Sequence, residues 1–150
     1  MRSEELNASI EAFLIQIGID VNAAKKSFET GDSYHFEFGE TQCYIGLPLS
    51  VPGRLGSARF EFLVFDVSCE AAGKILYLIS LDLDANRQVP LRAVVRPKSR
   101  IESTVLLQYV ADAEAVRDWY VGVLLSDGLE LAEFYRQEFG LKVKTNRLAS

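Results

Sequence analysis

Cysteine and histidine are scarce in this chain, whose 150 residues include two cysteines and one histidine. A zinc site draws three or four ligands mainly from these residue types, with pairs at spacings such as C-x-x-C. Cys43 and Cys69 stand far apart in separate apolar runs, where we expect both to be small buried hydrophobic residues. Because His35 is the only imidazole, a zinc site lacks ligands and a thiol nucleophile lacks a base.

The chain also lacks the short motifs that carry phosphate binding or hydrolysis. It contains no G-x-x-x-x-G-K-[ST] loop, G-x-G-x-x-G turn, H-E-x-x-H helix or G-x-S-x-G elbow. His35 alternates with Tyr34 and Phe36, which places it on the polar side of a strand, and no catalytic motif accompanies it. We therefore expect a protein that is not an enzyme and needs no cofactor.

A positive net charge and long apolar runs are missing as well. The formal net charge is -5, which opposes attachment to nucleic acid or to an anionic lipid surface. Glu4, Glu5 and Glu11 interrupt the N-terminal segment MRSEELNASIEAFLIQIGID, so it is not predicted to be a signal peptide, and no later run reaches transmembrane length. We predict a cytoplasmic protein without a nucleic acid or membrane partner.

The composition that is present is typical of one globular domain. Hydrophobic residues make up 49% and charged residues 25% of the chain, well away from the composition of disordered proteins. A chain of this length buries a core without support from disulfides or metal. We predict a single α+β domain over residues 1–141, followed by a basic tail, KVKTNRLAS, at residues 142–150.

The stretch ISLDLDANRQVP, residues 79–90, places Asp82, Asp84 and Asn86 at alternate positions, as in a calcium-binding loop. Such a loop needs a glycine at its sixth position and a bidentate glutamate at its twelfth. Arg87 and Ala93 occupy these two positions. The stretch is therefore predicted to be a packing element without a metal site.

The pattern of residues 70–86 fits both a helix and a strand. Apolar and polar residues alternate around Ile79, which is typical of a strand, but apolar residues also recur at helical spacing. The abundant leucine and alanine favour a helix. Ser68 or Glu70 is a candidate start and Pro90 forbids extension, so a helix is the favoured interpretation.

Hydrophobic spacing predicts the elements that precede this stretch. A first helix begins at Ser3 and ends at Gly18, and the residues from Asp20 to Asp32 show no sustained period. SYHFEF and TQCYIGL form a hairpin around Gly39, and ARFEFLVFDVSC is a third strand with apolar residues on both faces.

Two further elements complete the chain. The segment LRAVVRPKSRIESTVLLQYV is predicted to form a second hairpin in which Val95 faces Ser103 and Arg96 pairs with Glu102. Asp112 is predicted to cap a long C-terminal helix, with Gly122 and Gly128 as candidate points of bending. Its apolar stripe, typical of a core or a dimer surface, comprises Val116, Trp119, Tyr120, Val123, Leu124, Leu131, Phe134 and Tyr135.

A local cluster of positive charge stands out in this acidic chain. Arg92, Arg96, Lys98 and Arg100 lie on and around the second hairpin. They are candidate partner-binding residues that would dock an acidic segment. The alternative is that they protect the edge of a sheet by their charge, with Arg96 paired to Glu102.

The resulting order, αβββαββα, resembles the type III secretion chaperone-like fold, including the bacterial YbjN-like family. Three segments carry the resemblance: IGID before an aromatic hairpin, ILYLISLDLDANRQVP leading into a strand, and DWYVGVLLSDGLELAEFYRQEF in the last helix. The resemblance implies an antiparallel sheet with helices in a small acidic homodimer. It also implies that a segment of another protein binds on the sheet or helix surfaces, without chemistry.

Two functions follow from these expectations. The first is a non-enzymatic protein-binding, chaperone-like or regulatory domain that docks a segment of a protein or peptide partner. The alternative is a small-molecule-binding or enzymatic α+β domain with a pocket between the sheet and the C-terminal helix.

Overall fold

The computed structural model describes residues 3–51, 54–86 and 90–149. The helices of this part of the chain are α1 (Ser3–Gln16), α2 (Val21–Ala24), α3 (Cys69–Asn86) and α4 (Asp118–Ala149), with a 3-10 turn at Ala113–Ala115. The strands are β1 (Lys25–Phe28), β2 (Gly31–Phe38), β3 (Thr41–Val51), β4 (Arg54–Leu55), β5 (Ser57–Ser68), β6 (Arg92–Pro97) and β7 (Glu102–Asp112).

The fold is α+β with one antiparallel sheet, as predicted. Six strands follow the order β1-β2-β3-β5-β7-β6, and the two-residue β4 pairs with the end of β3. All three predicted helices and five predicted strands are present. Additional elements are α2 and β1, which lie in the unassigned stretch, and β4, which lies in the loop after β3.

The long helices α1, α3 and α4 pack on one face of the sheet. Alternate residues of the central strands, such as Phe60, Phe62, Val105 and Leu107, form a single core with the apolar sides of these helices. Within the described residues no element covers the opposite face. The domain therefore has two layers, one of helices and one of sheet.

The helical interpretation of residues 70–86 is confirmed. The hydroxyl of Ser68 accepts a hydrogen bond from the amide of Ala71 at 3.2 Å, so Ser68 caps α3. Cys69 is the first residue of the helix and is exposed, whereas Cys43 is buried. The expectation that both cysteines are buried is wrong for Cys69 because the strand ends one residue before it.

The aspartates of the rejected calcium loop lie on α3. The hydroxyl of Tyr135 in α4 donates a hydrogen bond to the carboxylate of Asp82, which joins the two helices side by side. Asp84 is exposed, and Arg87 lies outside the described residues. Residues 79–86 are thus part of a packing element.

The C-terminal helix departs from its predicted start. Asp112 caps the 3-10 turn, where its carboxylate accepts from the amide of Glu114 at 3.1 Å, and α4 begins only at Asp118. Val116 is therefore a buried residue of the connection and not of the helix. The helix includes residues 142–149 of the predicted basic tail, and the division at residue 141 stays a prediction.

The glycines of α4 do not interrupt the helix. A methyl group at Gly128 would lie 2.3 Å from the ring of Phe62 in β5, whereas one at Gly122 would meet no atom within 4 Å. Gly128 is thus the point of close approach between α4 and the sheet.

The second hairpin is present, but its predicted register is wrong by two residues. Val95 faces Val105 instead of Ser103, and Arg96 faces Thr104 instead of Glu102. The turn is centred one residue later than predicted, at Arg100 instead of Ser99, and the Ser99 hydroxyl accepts from the amides of both Ile101 and Glu102. A shift of two keeps the apolar face intact, so the hydrophobic pattern alone could not distinguish the registers.

Candidate functional site

The sheet face opposite the helices carries three rows of side chains, and the strand register defines them. The first row is Tyr44, Glu61, Gln108 and Arg92; the second is Leu63, Leu106 and Val94; the third is Asp66, Thr104 and Arg96. The middle row is apolar and the two others are polar. We call this surface the open face.

An ion pair crosses the apolar row. The Arg96 Nη2 atom donates to Glu61 Oε2 at 2.5 Å. Because Arg96 belongs to the third row on β6 and Glu61 to the first row on β5, the pair spans Leu106, which lies between them on β7. Leu106 is 0% exposed although it is not part of the core under the helices. The ion pair therefore covers part of the apolar row.

Polar contacts stabilise the charge of Glu61, whose side chain is only 7% exposed. Gln108 donates to its carboxylate at 2.8 Å, and Arg92 in turn donates to the Gln108 oxygen at 3.1 and 2.7 Å. Burial raises the pKa of Glu61, but hydrogen bonds from Arg96 and Gln108, with the charges of Arg96 and Arg59, outweigh it and hold the pKa below its usual range.

A second carboxylate of the open face is also paired. Asp66 forms an ion pair with Lys98 and accepts a hydrogen bond from the Thr104 hydroxyl at 2.7 Å. The hydrogen bond from Lys98 is the main cause that lowers the pKa of Asp66, and it acts with Thr104 against burial. Lys98, Asp66 and Thr104 thus form a connected polar network.

The predicted basic cluster is brought together along β6 and its turn, and two of its four charges, those of Arg96 and Lys98, are paired with carboxylates. Arg92 binds Gln108, Arg96 binds Glu61 and Lys98 binds Asp66. Arg100, in the turn after β6, is exposed and has no ion pair or side-chain hydrogen bond within the described residues. The predicted pair between Arg96 and Glu102 is replaced by the pair with Glu61.

Sequence reasoning did not identify Glu61 and Asp66 as partners of this cluster. Both interrupt the apolar run of β5, and a carboxylate within a central strand is a signal of a paired charge. The pairing could not be found from the sequence because it depends on the strand order β5-β7-β6, which places β6 one strand away from β5.

A shallow groove of about 560 Å³ lies in the open face. Its lining includes Tyr44, Glu61, Leu63, Arg96 and Thr104. The charged groups are paired across it, so the groove presents hydrogen-bonding atoms beside apolar surface. Such a surface is suited to a peptide segment that contributes apolar side chains and polar groups.

The surroundings of His35 confirm that it is a surface residue of a strand. Its Nε2 atom lies 3.1 Å from Gln42 Oε1, and its ring stacks on Tyr44 with ring centroids 4.0 Å apart. Both contacts are on the open face. His35 therefore extends the aromatic end of the first row.

A second cavity, of about 430 Å³, lies between α1, the turn from β2 to β3, and α4. Phe13, Ile17 and Phe38 line it together with the exposed carboxylates of Glu130 and Glu133. The alternative function predicts a pocket between the sheet and the C-terminal helix, whereas this cavity is bounded by α1 as well and meets the sheet only at the turn from β2 to β3. Its lining includes no histidine, cysteine or lysine, which limits its chemistry to the two carboxylates and neutral groups.

Two other kinds of site are not found among the described residues. No group of three or more histidine, cysteine, aspartate or glutamate side chains is placed to hold a metal ion there. None of the described helices is both long and apolar enough to cross a membrane.

No family model and no curated protein sequence matches the chain. Among solved structures, it is similar to a chain in the crystal structure of the ExsC-ExsE complex, with a TM-score of 0.59 and 16% sequence identity. The similarity covers 90% of this chain and 93% of the other. The likeness confirms the type III secretion chaperone-like fold, whereas membership of the YbjN-like family stays a prediction.

Proposed function

We propose that this protein is a non-enzymatic, chaperone-like domain of the cytoplasm that docks a segment of a partner protein on its open face. The observation that carries the proposal is a sheet face on which a nearly buried carboxylate, that of Glu61, is paired with Arg96 across an apolar row. The solved structure that it resembles is a complex of two proteins.

The apolar row supplies the binding energy in this proposal. Leu63 and Val94 are half-buried, and Leu106 is covered by the ion pair between Arg96 and Glu61. A partner side chain that displaces the guanidinium of Arg96 would pack against all three apolar residues. Each fully buried aliphatic side chain contributes on the order of 1.5–3 kcal/mol.

The basic cluster forms the rim of the docking surface in this proposal. Arg92, Arg96, Lys98 and Arg100 bind the polar part of the segment in this proposal, and Arg100 attracts acidic residues of the partner. Charge at a rim acts mainly on the association rate. The protein is further proposed to be a homodimer, the state that the resemblance implies.

Site-specific photocrosslinking in the native cell tests the location of docking. A photoreactive amino acid at position 44 or 94 samples the open face, and one at Ile15, which is 68% exposed on α1, is the matched control. We expect adducts with one protein from positions 44 and 94 and none from position 15. Adducts formed equally at all three positions, or at position 15 alone, would contradict the proposal.

The crosslinked segment, made as a synthetic peptide, then tests the rim. Arg100→Glu should slow association and weaken its salt dependence without affecting folding, because this side chain has no ion pair within the described residues. Arg96→Glu is a poor substitute, since it places a carboxylate beside Glu61. Unchanged association kinetics in Arg100→Glu would assign this residue to protection of the sheet edge.

A further inference from the structure

The cavity between α1, the turn from β2 to β3, and α4 is apolar on several sides. Its volume of about 430 Å³ lies within the range of about 300–1,000 Å³ that is usual for small-molecule sites. Phe13 and Ile17 of α1 are half-buried beside it, and Phe38, at the end of β2, is 43% exposed. Leu129 of α4 also lines it. The cavity therefore offers apolar surface, including two aromatic rings, to a compound that enters it.

The α4 side of the cavity contains a glycine. The five α4 residues of the lining, at positions 122, 126, 129, 130 and 133, recur at helical spacing and so lie on one side of the helix. A Cβ atom at Gly122 would meet no atom within 4 Å. The lack of a side chain at this position therefore contributes to the open volume.

The two charged groups of the lining are both carboxylates. Glu130 and Glu133 are three residues apart on α4, a spacing that places side chains next to each other on a helix. Both are exposed, so their charge lies on the solvent side of the cavity. Within the described residues Glu130 has no ion pair or side-chain hydrogen bond, and Glu133 accepts one hydrogen bond, from Gln137 at 3.5 Å. The cavity thus combines apolar surface with two neighbouring negative charges.

The helices around the cavity do not neutralise these carboxylates. The helix α1 contains no lysine or arginine. In α4, Arg136 follows Glu133 by one turn, but it donates to the Thr41 hydroxyl at 2.7 Å and to the Val64 carbonyl at 3.3 Å. Its guanidinium is therefore directed at the sheet. Glu130 and Glu133 are left available to a positively charged ligand.

We infer that this cavity binds a small organic ammonium compound, a primary amine joined to an apolar body such as one aromatic ring. An ammonium group has several hydrogen-bond donors and can bind both neighbouring carboxylates, while the apolar body packs against Phe13, Ile17 and Phe38. A metal ion fits less well: calcium takes about six to eight oxygen ligands, and no group of three acidic or imidazole side chains is placed to hold a metal among the described residues. The site is on the helical side of the sheet and does not depend on docking at the open face.

Titrations followed by nuclear magnetic resonance test the charge of the ligand. Phenethylamine, phenethyl alcohol and hydrocinnamate share a phenyl ring and a two-carbon chain, and they end in a cation, a neutral group and an anion. We expect phenethylamine to bind with a dissociation constant on the order of 1 mM, as suits so small a ligand. The alcohol should bind about 10-fold more weakly or less, because it forms no charge-assisted hydrogen bond, and the anion should not bind.

A pair of charge variants tests the two carboxylates. Glu130→Gln with Glu133→Gln removes the negative charge and keeps the size of both side chains, so the affinity for phenethylamine should fall to that for the alcohol. Glu29→Gln with Glu138→Gln is the matched control, since it removes the same charge from exposed residues that do not line the cavity. The control should keep the wild-type affinity within about twofold, because distant exposed charges are screened.

Gly122→Leu tests whether the cavity itself is the site. The new side chain meets no obstacle at its Cβ atom and extends into the cavity, and leucine favours a helix more than glycine does. Binding of phenethylamine should therefore be lost while the midpoint of urea denaturation stays the same or rises. Because both carboxylates remain in this variant, the loss would separate the cavity from the negative charge alone.

Five results would overturn the inference. Four come from the titrations: no binding of phenethylamine at tens of millimolar, equal affinity for the amine and the alcohol, unchanged affinity in the doubly substituted glutamate variant, or retained binding in Gly122→Leu. The fifth is a protein adduct in the native cell from a photoreactive amino acid at position 126, which would assign the cavity to a basic segment of a partner protein. The titrations do not bear on photocrosslinking at positions 44 and 94, so the proposed function succeeds or fails separately.

Discussion

Replacement of Arg96 by methionine should reveal how strongly the open face depends on its ion pair. Glu61 loses a charge-assisted hydrogen bond, which contributes about 1.5–3 kcal/mol, and removal of one partner from a fully buried pair costs about 3–5 kcal/mol. The side chain of Arg96 is 47% exposed and Gln108 still binds Glu61 in the variant, so the cost should follow the loss of one hydrogen bond and not the loss of a fully buried pair. We expect a loss of about 2 kcal/mol in the free energy of unfolding at pH 7.

The loss should depend on pH in a defined direction. In the wild type the pKa of Glu61 is lowered, so the stabilisation is complete above the ordinary carboxyl pKa of about 4.3 and is lost as the pH falls through the lowered value. In the variant, burial is no longer opposed by Arg96, so protonation of Glu61 favours the folded state. The difference between the two proteins should therefore shrink from pH 7 to pH 3.

Urea denaturation followed by far-ultraviolet circular dichroism at both pH values measures this difference. Methionine still covers Leu106 with an aliphatic chain, so the variant removes the charge of Arg96 but keeps most of its packing. The double variant Glu61→Gln with Arg96→Met should regain most of the stability, because neither partner is then an unpaired charge. A loss below about 0.5 kcal/mol at pH 7, within the range of ordinary surface substitutions, or a loss that is the same at both pH values, would refute the reasoning.

Three further outcomes are expected. Gly128→Ala should lower the free energy of unfolding by about 1–3 kcal/mol in a denaturation experiment, because the added methyl meets the ring of Phe62 at 2.3 Å. Adding Phe62→Leu to this variant should restore part of the lost stability. One thiol should react with Ellman's reagent in the native protein and two after unfolding, because Cys69 is exposed whereas Cys43 is buried and its burial raises the pKa of the thiol. In Cys69→Ser no thiol should react before unfolding. Arg136→Lys should destabilise the fold by about 1–3 kcal/mol, since a lysine cannot keep both hydrogen bonds that Arg136 donates to β3 and β5. An unchanged midpoint of urea denaturation would contradict the stabilising role of these two hydrogen bonds.

The elements were predictable where one period dominates the sequence. The spacing of Leu6, Ile10 and Leu14 identifies α1, and all three residues are fully buried. The helix α3 was predicted from composition and from its stop at Pro90. The short β1 was not predicted, because its four residues, KKSF, are mostly exposed and show no alternation.

The open face was only partly predictable because it is assembled from strands that are distant in the chain. The basic residues Arg92, Arg96 and Lys98 were visible as a cluster, but Glu61 lies 35 positions before Arg96. Their contact requires both the strand order β5-β7-β6 and the true register of the second hairpin. A two-residue error in register was enough to assign Arg96 to the wrong carboxylate.

The irregularity in β5 has a consequence for insertions and deletions. The pairing with β7 passes from Leu63 directly to Phe65, which leaves Val64 as an extra residue. Phe62 before it and Phe65 after it both face the helices, so removal of position 64 would leave every other side chain of the strand on its present face. Its carbonyl, at 3.3 Å from Arg136, would be lost as an acceptor. Relatives of this chain can therefore differ in length by one residue within a central strand and still present the same open face.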